Sequence, residues 1–218
     1  MPHSIHPDTS LGEVKLKVKN LERSARFYED VVGLKVLKQD SSTVYFTTDG
    51  QKPLLILEAH PDSVILPQRT TTGLYHFAIL LPDRKHLGLA LRNLIQAQIH
   101  IGQADHLVSE ALYISDPEGN GIEIYRDRPR DTWKRDAQGN YEMATDPIEW
   151  ESLLEEAGDD SWSGLPPETI IGHVHLHVAD LKSSNEFYTR LLGFDIVGNY
   201  AASPLCSYLQ AATTTIWG

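Results

Sequence analysis

The chain has 218 residues, of which 41% are hydrophobic and 22% charged, so it can bury a sizeable core and is not a disordered chain. The net charge of −11 disfavours nucleic acid as a partner, because nucleic-acid-binding proteins gather positive charge. One cysteine, Cys206, excludes an internal disulfide framework and a multi-cysteine zinc site. With no signal peptide and no apolar run of membrane length, the sequence predicts a cytoplasmic protein without a membrane partner.

A sequence segment near the N-terminus is repeated near the C-terminus. Residues 12–37 align without a gap on residues 172–197, and nine positions are identical, namely Gly12/Gly172, Val14/Val174, Leu16/Leu176, Val18/Val178, Leu21/Leu181, Ser24/Ser184, Phe27/Phe187, Tyr28/Tyr188 and Gly33/Gly193. Alternating apolar residues predict a strand in each copy, Asn20 or Asp180 suits a helix N-cap, and a glycine suits the helix end. Each unit is therefore strand, helix, strand, and the first copy continues through two further strands.

A more diverged copy begins near Gly73. A strand at 76–81, a capping residue Asp83 and a helix over about 84–98 are predicted, followed by strands around the turn 116–120. The modules thus start near residues 11, 74 and 171, and each is of βαβββ type when complete.

The pattern divides the chain into three parts. Residues 1–128 are predicted to hold a pair of modules, at about 11–60 and 73–128. Residues 129–169 form a polar linker with a helix near 147–157, because Asp146 suits an N-cap and Pro147 the first helical position. Residues 170–218 are predicted to form an incomplete third module.

A polar residue recurs seven positions before each helix cap, as Glu13, His76 and His173. On the last strand of the second module, Glu123 lies between Ile122 and Ile124 and faces away from the buried side. If the first two modules share a sheet, Glu13, His76 and Glu123 meet on its concave face. One imidazole and two carboxylates suit a divalent metal such as Fe(II), Mn, Ni or Zn. The alternatives are an exposed Glu13 paired with a neighbouring lysine and a His76 that is only a partly buried core histidine.

Three further histidines alternate along one strand as His173, His175 and His177. Steps of two place them about 6.6 Å apart, so one metal ion can take at most two of them. We interpret the row as a solvated strand face, with His173 as the first candidate for an exception. Tyr113 and His106 precede the closing hairpin and can supply a proton or a hydrogen bond beside a metal, although Tyr113 also fits a packing role.

The shared phrase G-x-V-x-L-x-V-x-[ND]-L, the Phe-Tyr pair, the helix-ending glycine and the run 116–123 resemble the vicinal-oxygen-chelate superfamily, which holds glyoxalase I, extradiol dioxygenases and bleomycin-resistance proteins. Residues 73–82 and 109–113 resemble its bacterial catechol-2,3-dioxygenase branch more closely. The resemblance implies an α+β fold in which repeated βαβββ modules pair, two of them forming a half-open cup-shaped sheet, here with a third incomplete module.

The resemblance also implies a function. It predicts an iron-dependent, ring-cleaving enzyme that acts on a small aromatic, catechol-like substrate and dioxygen, with metal ligands at Glu13, His76 and Glu123. Tyr113 matches a tyrosine that hydrogen-bonds near the substrate, and His106 lies near an acid/base histidine. Extradiol enzymes use two histidines and one carboxylate, so Glu13 is a departure. The fourth ligand of glyoxalase I is expected to be absent, because Leu57 occupies its position and Glu58 faces the other way.

Two other functions remain open at this point: a glyoxalase-type lyase or isomerase, and a non-catalytic binding protein of the bleomycin-resistance kind. The tail 201–217 does not continue the module pattern, and we interpret this as an early end caused by a change of reading frame. A third module without its partner strands exposes a sheet edge. The sequence therefore predicts a homodimer that pairs through residues 170–218.

Overall fold

Three strand–helix–strand units follow one another in the computed structural model, which describes residues 4–6, 8–65, 71–199, 207–211 and 214–217. The first unit contains β1 (Val14–Val18), α1 (Leu21–Arg26) with a π-helical continuation (Phe27–Val32), β2 (Lys35–Gln39), β3 (Thr43–Thr47) and β4 (Leu55–Ala59). The predicted N-cap is confirmed, since Oδ1 of Asn20 accepts a hydrogen bond from the backbone N–H of Arg23 at 2.9 Å.

The second unit repeats this order and adds a longer helix. It contains β5 (Gly73–Leu80), α2 (Arg84–Gln96), β6 (Gly102–Asp105), β7 (Ser109–Ser115) and β8 (Gly121–Asp127). Asp83 caps α2 by accepting a hydrogen bond from the N–H of His86, as the sequence predicted.

The third unit contains β9 (Ile170–His177), α4 (Leu181–Glu186) with a π-helical turn (Phe187–Leu191), β10 (Asp195–Asn199), β11 (Ser207–Ala211) and β12 (Thr214–Trp217). Asp180 caps α4 through the N–H of Ser183. The backbone of the tail therefore continues the module, because β12 returns parallel to β9 with Thr215 opposite His173. Among the described residues of this unit, the strands β10, β11 and β12 follow α4.

The sheets do not join the modules in the predicted way. One sheet has four strands in the order β1-β4-β3-β2, and the other has eight in the order β10-β11-β12-β9-β5-β8-β7-β6. The second and third modules thus share a sheet through the antiparallel pair β5–β9, whereas the first module forms its own sheet. The charged row of β1 explains the difference, because lining a closed concave face with Lys15 and Lys17 would remove their charges from water.

The same topology bears on the predicted homodimer. Within residues 170–218, β9 lies between β5 and β12, and β10 forms the edge of the eight-stranded sheet in the described part of the chain.

The segment between β8 and β9 packs on the second module. It contains a short 3₁₀ helix (Arg130–Thr132) and α3 (Trp150–Ala157), which lies within the predicted helical range. Leu153 and Ala157 are fully buried, and a methyl group added at Gly88 of α2 would lie 2.2 Å from the Leu153 carbonyl oxygen. The close approach of α2 and α3 therefore requires a glycine at this position.

The turn between β7 and β8 connects the first two modules. Both carboxylate oxygens of Glu118 accept hydrogen bonds, from the N–H groups of Lys19 and Asn20, each at 2.7 Å. The Tyr28 hydroxyl donates to Asp116 at 3.0 Å, and burial raises the pKa of Tyr28. Buried side chains of both modules contribute to one continuous core. Within the described part of the chain, no helix has the length and apolar character that crossing a bilayer requires.

Candidate metal centre

A histidine–carboxylate group forms where three strands meet in the eight-stranded sheet. Ala78 of β5 lies opposite Glu123 of β8 on one side and opposite His173 of β9 on the other. His76 precedes Ala78 by two residues and therefore projects from the same face. The Ala78 methyl group is small, so the three larger side chains can converge above it.

The ligand atoms of these side chains are close together. Nε2 of His76 lies 2.9 Å from Oε2 of Glu123, and Nε2 of His173 lies 3.1 Å from the same oxygen. One donor atom from each residue lies within 4.8 Å of the others. All three residues are buried, with exposed fractions of 6% for His76, 2% for Glu123 and 3% for His173.

The electrostatics of the group centre on the carboxylate. Burial by itself raises the pKa of Glu123, but the charge and hydrogen bond of His173, with those of His76, outweigh it and hold that pKa well below its usual range. Glu123 is therefore an anion at neutral pH. Burying a carboxylate is costly unless it is paired or hydrogen-bonded, and both imidazoles lie within hydrogen-bonding distance of Glu123.

This donor set fits a divalent metal ion. Two imidazole nitrogens and one carboxylate oxygen on one face form the arrangement that non-haem iron oxygenases use, with further coordination positions left for other ligands. Nitrogen and oxygen ligands bind such ions at about 2.0–2.2 Å, so donor atoms separated by 2.9–4.8 Å can surround one ion.

Two glycines give the strands the space that the group requires. A methyl group added at Gly121 would lie 2.3 Å from the Tyr75 carbonyl oxygen and 3.0 Å from Cβ of His76. A methyl group added at Gly172, directly before His173, would lie 2.0 Å from the Tyr125 hydroxyl. The positions of His76 and His173 therefore require glycine, which has no side chain, at positions 121 and 172.

A tyrosine–histidine pair lies next to the group. Tyr113 of β7 is opposite Glu123 in the sheet, and its ring centroid is 5.6 Å from that of His76. Nε2 of His106 is 2.8 Å from the Tyr113 hydroxyl, and Nδ1 is 2.8 Å from the Ala144 carbonyl oxygen. A carbonyl only accepts, so Nδ1 carries the proton, and in the neutral imidazole Nε2 accepts from the tyrosine.

The remaining histidines of β9 extend the same face. His175 is buried, with its ring centroid 4.9 Å from that of His76, and His177 stacks on Tyr75 at 4.6 Å. Burial and the neighbouring imidazoles of His76 and His173 lower the pKa of His175 to about 3, so it is neutral at pH 7. Only part of the row is solvated, because His173 and His175 are buried.

Of the predicted site residues, the structure brings together His76 and Glu123 and places Tyr113 and His106 beside them. It does not bring Glu13 to this group. Glu13 is exposed and lies directly before β1, in the other sheet. His173 occupies the place expected for Glu13, because β9 rather than β1 pairs with β5. The sequence signal for His173 was its position seven residues before a helix cap, which it shares with His76.

Glu58, considered as a glyoxalase-type ligand, belongs to the four-stranded sheet. Its carboxylate contacts Lys15 and lies 3.1 Å from Nε2 of His60. Among the described residues, the group that can hold a metal ion comprises His76, Glu123 and His173.

Comparisons with known proteins agree with this architecture. Residues 10–124 match the family profile of the Glyoxalase/Bleomycin resistance protein/Dioxygenase superfamily. The chain is 61% identical over 198 residues to catechol-2,3-dioxygenase from Bacillus subtilis (strain 168), covering 91% of this chain and 70% of the relative.

Two solved structures share the fold. A proposed dioxygenase from Bacillus subtilis subsp. subtilis strain 168 matches 99% of this chain and 63% of its own, with a TM-score of 0.62 at 14% identity. A glyoxalase I variant from Zea mays matches 93% of this chain and 65% of its own, with a TM-score of 0.57 at 18% identity. This chain thus spans just under two thirds of either structure. Profile, sequence and fold agree that the chain belongs to the glyoxalase/bleomycin resistance protein/dioxygenase superfamily.

Proposed function

We propose that the protein is an extradiol, catechol-2,3-dioxygenase-like enzyme that cleaves the ring of a small aromatic diol with dioxygen, and that its metal is Fe(II). The observation that carries the proposal is the buried group of His76, Glu123 and His173, which supplies two imidazoles and one carboxylate on one face. The 61% identity to a catechol-2,3-dioxygenase supports the same reaction.

His76, Glu123 and His173 would hold the metal ion. When bound, the ion would supply a Lewis acid and a template for the reaction of the diol with dioxygen. The protein contributes the fixed geometry: β5 carries His76, and its two neighbouring strands carry the other ligands, so the ligand set depends on the sheet register rather than on loops.

Tyr113 and His106 would accept the substrate proton. The Ala144 carbonyl fixes the proton of His106 on Nδ1, and Nε2 accepts the hydroxyl hydrogen of Tyr113. In the proposed complex, the Tyr113 oxygen would accept a hydrogen bond from a diol hydroxyl above His76. Transfer of that proton to the Tyr113 oxygen, with the Tyr113 hydrogen passing to Nε2 of His106, would leave the diol in the anionic form that a metal ion binds.

The site is suited to a neutral or weakly acidic aromatic ligand. The face around the metal group carries the rings of Tyr113, Tyr125 and Tyr75, with His175 held neutral beside them. Aromatic side chains bind a flat apolar ring by offset or edge contacts. A chain with one cysteine suits a reducing compartment, and we place the enzyme in the cytoplasm.

The experiment is metal analysis and activity of protein purified without chelator and without oxygen. The protein is loaded in parallel with Fe(II), Mn, Ni or Zn and supplied with catechol, while oxygen uptake and the absorbance of the ring-opened product are followed. We expect oxygen-dependent product formation with Fe(II). The test variants are His173→Ala and Glu123→Ala, and the matched control is Glu13→Ala, an exposed carboxylate before the equivalent strand of the first module.

We expect the two test variants to bind metal at least about tenfold more weakly and the control to match the wild type. Loss of metal in Glu13→Ala but not in His173→Ala would overturn the site. Turnover that depends on Ni or Zn and needs no oxygen would show that the protein is a lyase or isomerase and not a dioxygenase. Tight metal binding without turnover of any catechol would indicate that the protein binds a small molecule without catalysing a reaction.

A further inference from the structure

The side chain of Tyr125 reaches across the eight-stranded sheet to a strand that is not a neighbour of its own. Tyr125 lies on β8, where its strand partners are Leu80 of β5 and Ala111 of β7. β9 lies beyond β5, about 9–10 Å from β8. The Tyr125 ring nevertheless lies beside His173 of β9, with 4.9 Å between the ring centroids and 62° between the ring planes. The side chain therefore crosses β5 and approaches a proposed metal ligand.

Packing on small residues holds the Tyr125 ring in this place. Tyr125 belongs to one buried cluster with Ala78 and Ala111, whose side chains are single methyl groups. At the far end of the ring, an added methyl group at Gly172 would lie only 2.0 Å from the hydroxyl oxygen. Tyr125 is itself enclosed, since it is buried on the sheet. The ring is therefore held against the backbone directly before His173.

The imidazole of His173 needs such a support. The torsion that turns a histidine ring about its Cβ–Cγ bond is broad, so a strand fixes the direction of the side chain but not the plane of the ring. Nε2 of His173 lies 3.1 Å from Oε2 of Glu123, and the His76 ring is 5.6 Å away at 65°. Of the two rings at steep angles to the His173 ring, Tyr125 is the nearer. Tyr125 therefore limits the rotation that would turn Nε2 away from Glu123.

The tyrosine beside the other ligand histidine has a different environment. The ring of Tyr113 is 5.6 Å from that of His76, and its hydroxyl group is hydrogen-bonded to His106. Among the described residues, none forms a hydrogen bond with the Tyr125 hydroxyl group. Tyr113 is thus suited to proton transfer, whereas Tyr125 contacts the site through its ring.

We propose that Tyr125 is a positioning residue, whose ring fixes the imidazole plane of His173 so that Nε2 stays directed at the metal position. The proposal rests on the metal site of the proposed function. Residues that orient a metal ligand from outside the coordination sphere contribute about 10–100-fold to metal affinity. The ring of Tyr125 supplies this orientation, and its hydroxyl group is dispensable.

The test is titration of the metal-free full chain with Co(II), without oxygen, against a competing chelator. Co(II) is coloured, so its visible absorption also reports the geometry of the ligands. Tyr125→Leu stays apolar but loses the ring, and it should bind Co(II) about tenfold more weakly with a changed spectrum. Tyr125→Phe keeps the ring and should match the wild type in affinity and spectrum.

Two controls separate positioning from general stability. Phe46→Leu removes a fully buried aromatic ring from β3 of the other sheet, so it should lower Tm and leave the Co(II) affinity unchanged. In a His173→Ala background, Tyr125→Leu should cause no further loss of affinity, because the ring that it positions is absent.

The outcomes distinguish this proposal from the proposed function. A Tyr125→Leu variant with wild-type affinity, or an equal loss in Tyr125→Phe, would overturn the positioning role and leave the metal site intact. A loss that persists in full in the His173→Ala background would also overturn it. A wild type that binds Co(II) but, loaded with Fe(II), shows no oxygen-dependent turnover would overturn only the dioxygenase reaction. A wild type that binds no Co(II) would overturn the metal site together with this proposal.

Discussion

Gly172→Ala tests how closely Tyr125 packs against the strand that carries His173. The new methyl group would lie 2.0 Å from the Tyr125 hydroxyl oxygen, 2.9 Å from Cζ and 3.0 Å from Cβ of Leu80. Tyr125 is 5% exposed, so its ring cannot turn away into solvent. Overpacking a closed site costs about 1–3 kcal/mol, and we expect the upper half of that range because three contacts are too short.

The assay is thermal unfolding of the metal-free protein, followed by circular dichroism. For a chain of this length the cost corresponds to a fall in Tm of roughly 5–10 °C. Gly12→Ala is the matched control, since a methyl group there meets nothing within 4 Å. The double variant Gly172→Ala/Tyr125→Phe should recover part of the loss, because it removes the hydroxyl oxygen and leaves the contact with Cζ.

The single variant Gly172→Ala should also weaken metal binding, because β9 must shift to relieve the contact and His173 moves with it. Equal Tm values for Gly172→Ala and Gly12→Ala would refute the packing argument. A Tyr125→Phe change that recovers nothing would show that the hydroxyl group is not the obstacle.

Three further predictions follow from the contacts of the site and its surroundings. Tyr113→Phe should lower kcat on the order of 100-fold with unchanged metal content, measured by oxygen uptake and metal analysis, and unchanged kcat would exclude Tyr113 from proton transfer. Burial alone raises the pKa of Glu110, but the ion pairs with Arg84 and Arg126 outweigh it and hold that pKa below its ordinary value. These ion pairs therefore stabilise the fold at pH values above the ordinary pKa of a glutamate. The stabilisation is lost as the pH falls through the lowered pKa. Glu110→Gln should therefore cost roughly 3 kcal/mol at pH 7 and progressively less below about pH 4 in urea titrations, and a pH-independent cost would contradict this sign. Chelation should destabilise the loaded protein by about 2.7 kcal/mol when free metal exceeds Kd a hundredfold, and a Tm that ignores chelator would argue against a bound ion.

Local features of the fold could be predicted from the sequence because they depend on neighbouring residues. The caps Asn20, Asp83 and Asp180 follow from the hydrogen bonds that a short polar side chain offers to the first turn of a helix. The alternation of Glu123 with two isoleucines likewise predicted its face. The βαβββ repeat and the family resemblance rest on such local signals.

The choice of partner module could not be read in the same way. β1, β5 and β9 share one pattern, and only a comparison of their outer faces separates them. β1 presents Lys15 and Lys17, whereas β5 presents Ala78 beside His76. To predict that β5 pairs with β9, one must compare the cost of burying the charged residues of β1 with that of burying β9, which lies about a hundred residues after β5. Without that comparison, Glu13 is predicted as the ligand in place of His173.

The β5–β9 pair also orders events during synthesis. The ribosome adds about 5–20 residues per second, so β9 (Ile170–His177) is made several seconds or more after β5 (Gly73–Leu80). During that interval the nascent chain offers His76 and Glu123 without His173, and two ligands retain a divalent ion far less firmly than three. Metal uptake should therefore wait until β9 has docked, and an ion held by all three residues marks a chain whose long-range pairing is complete.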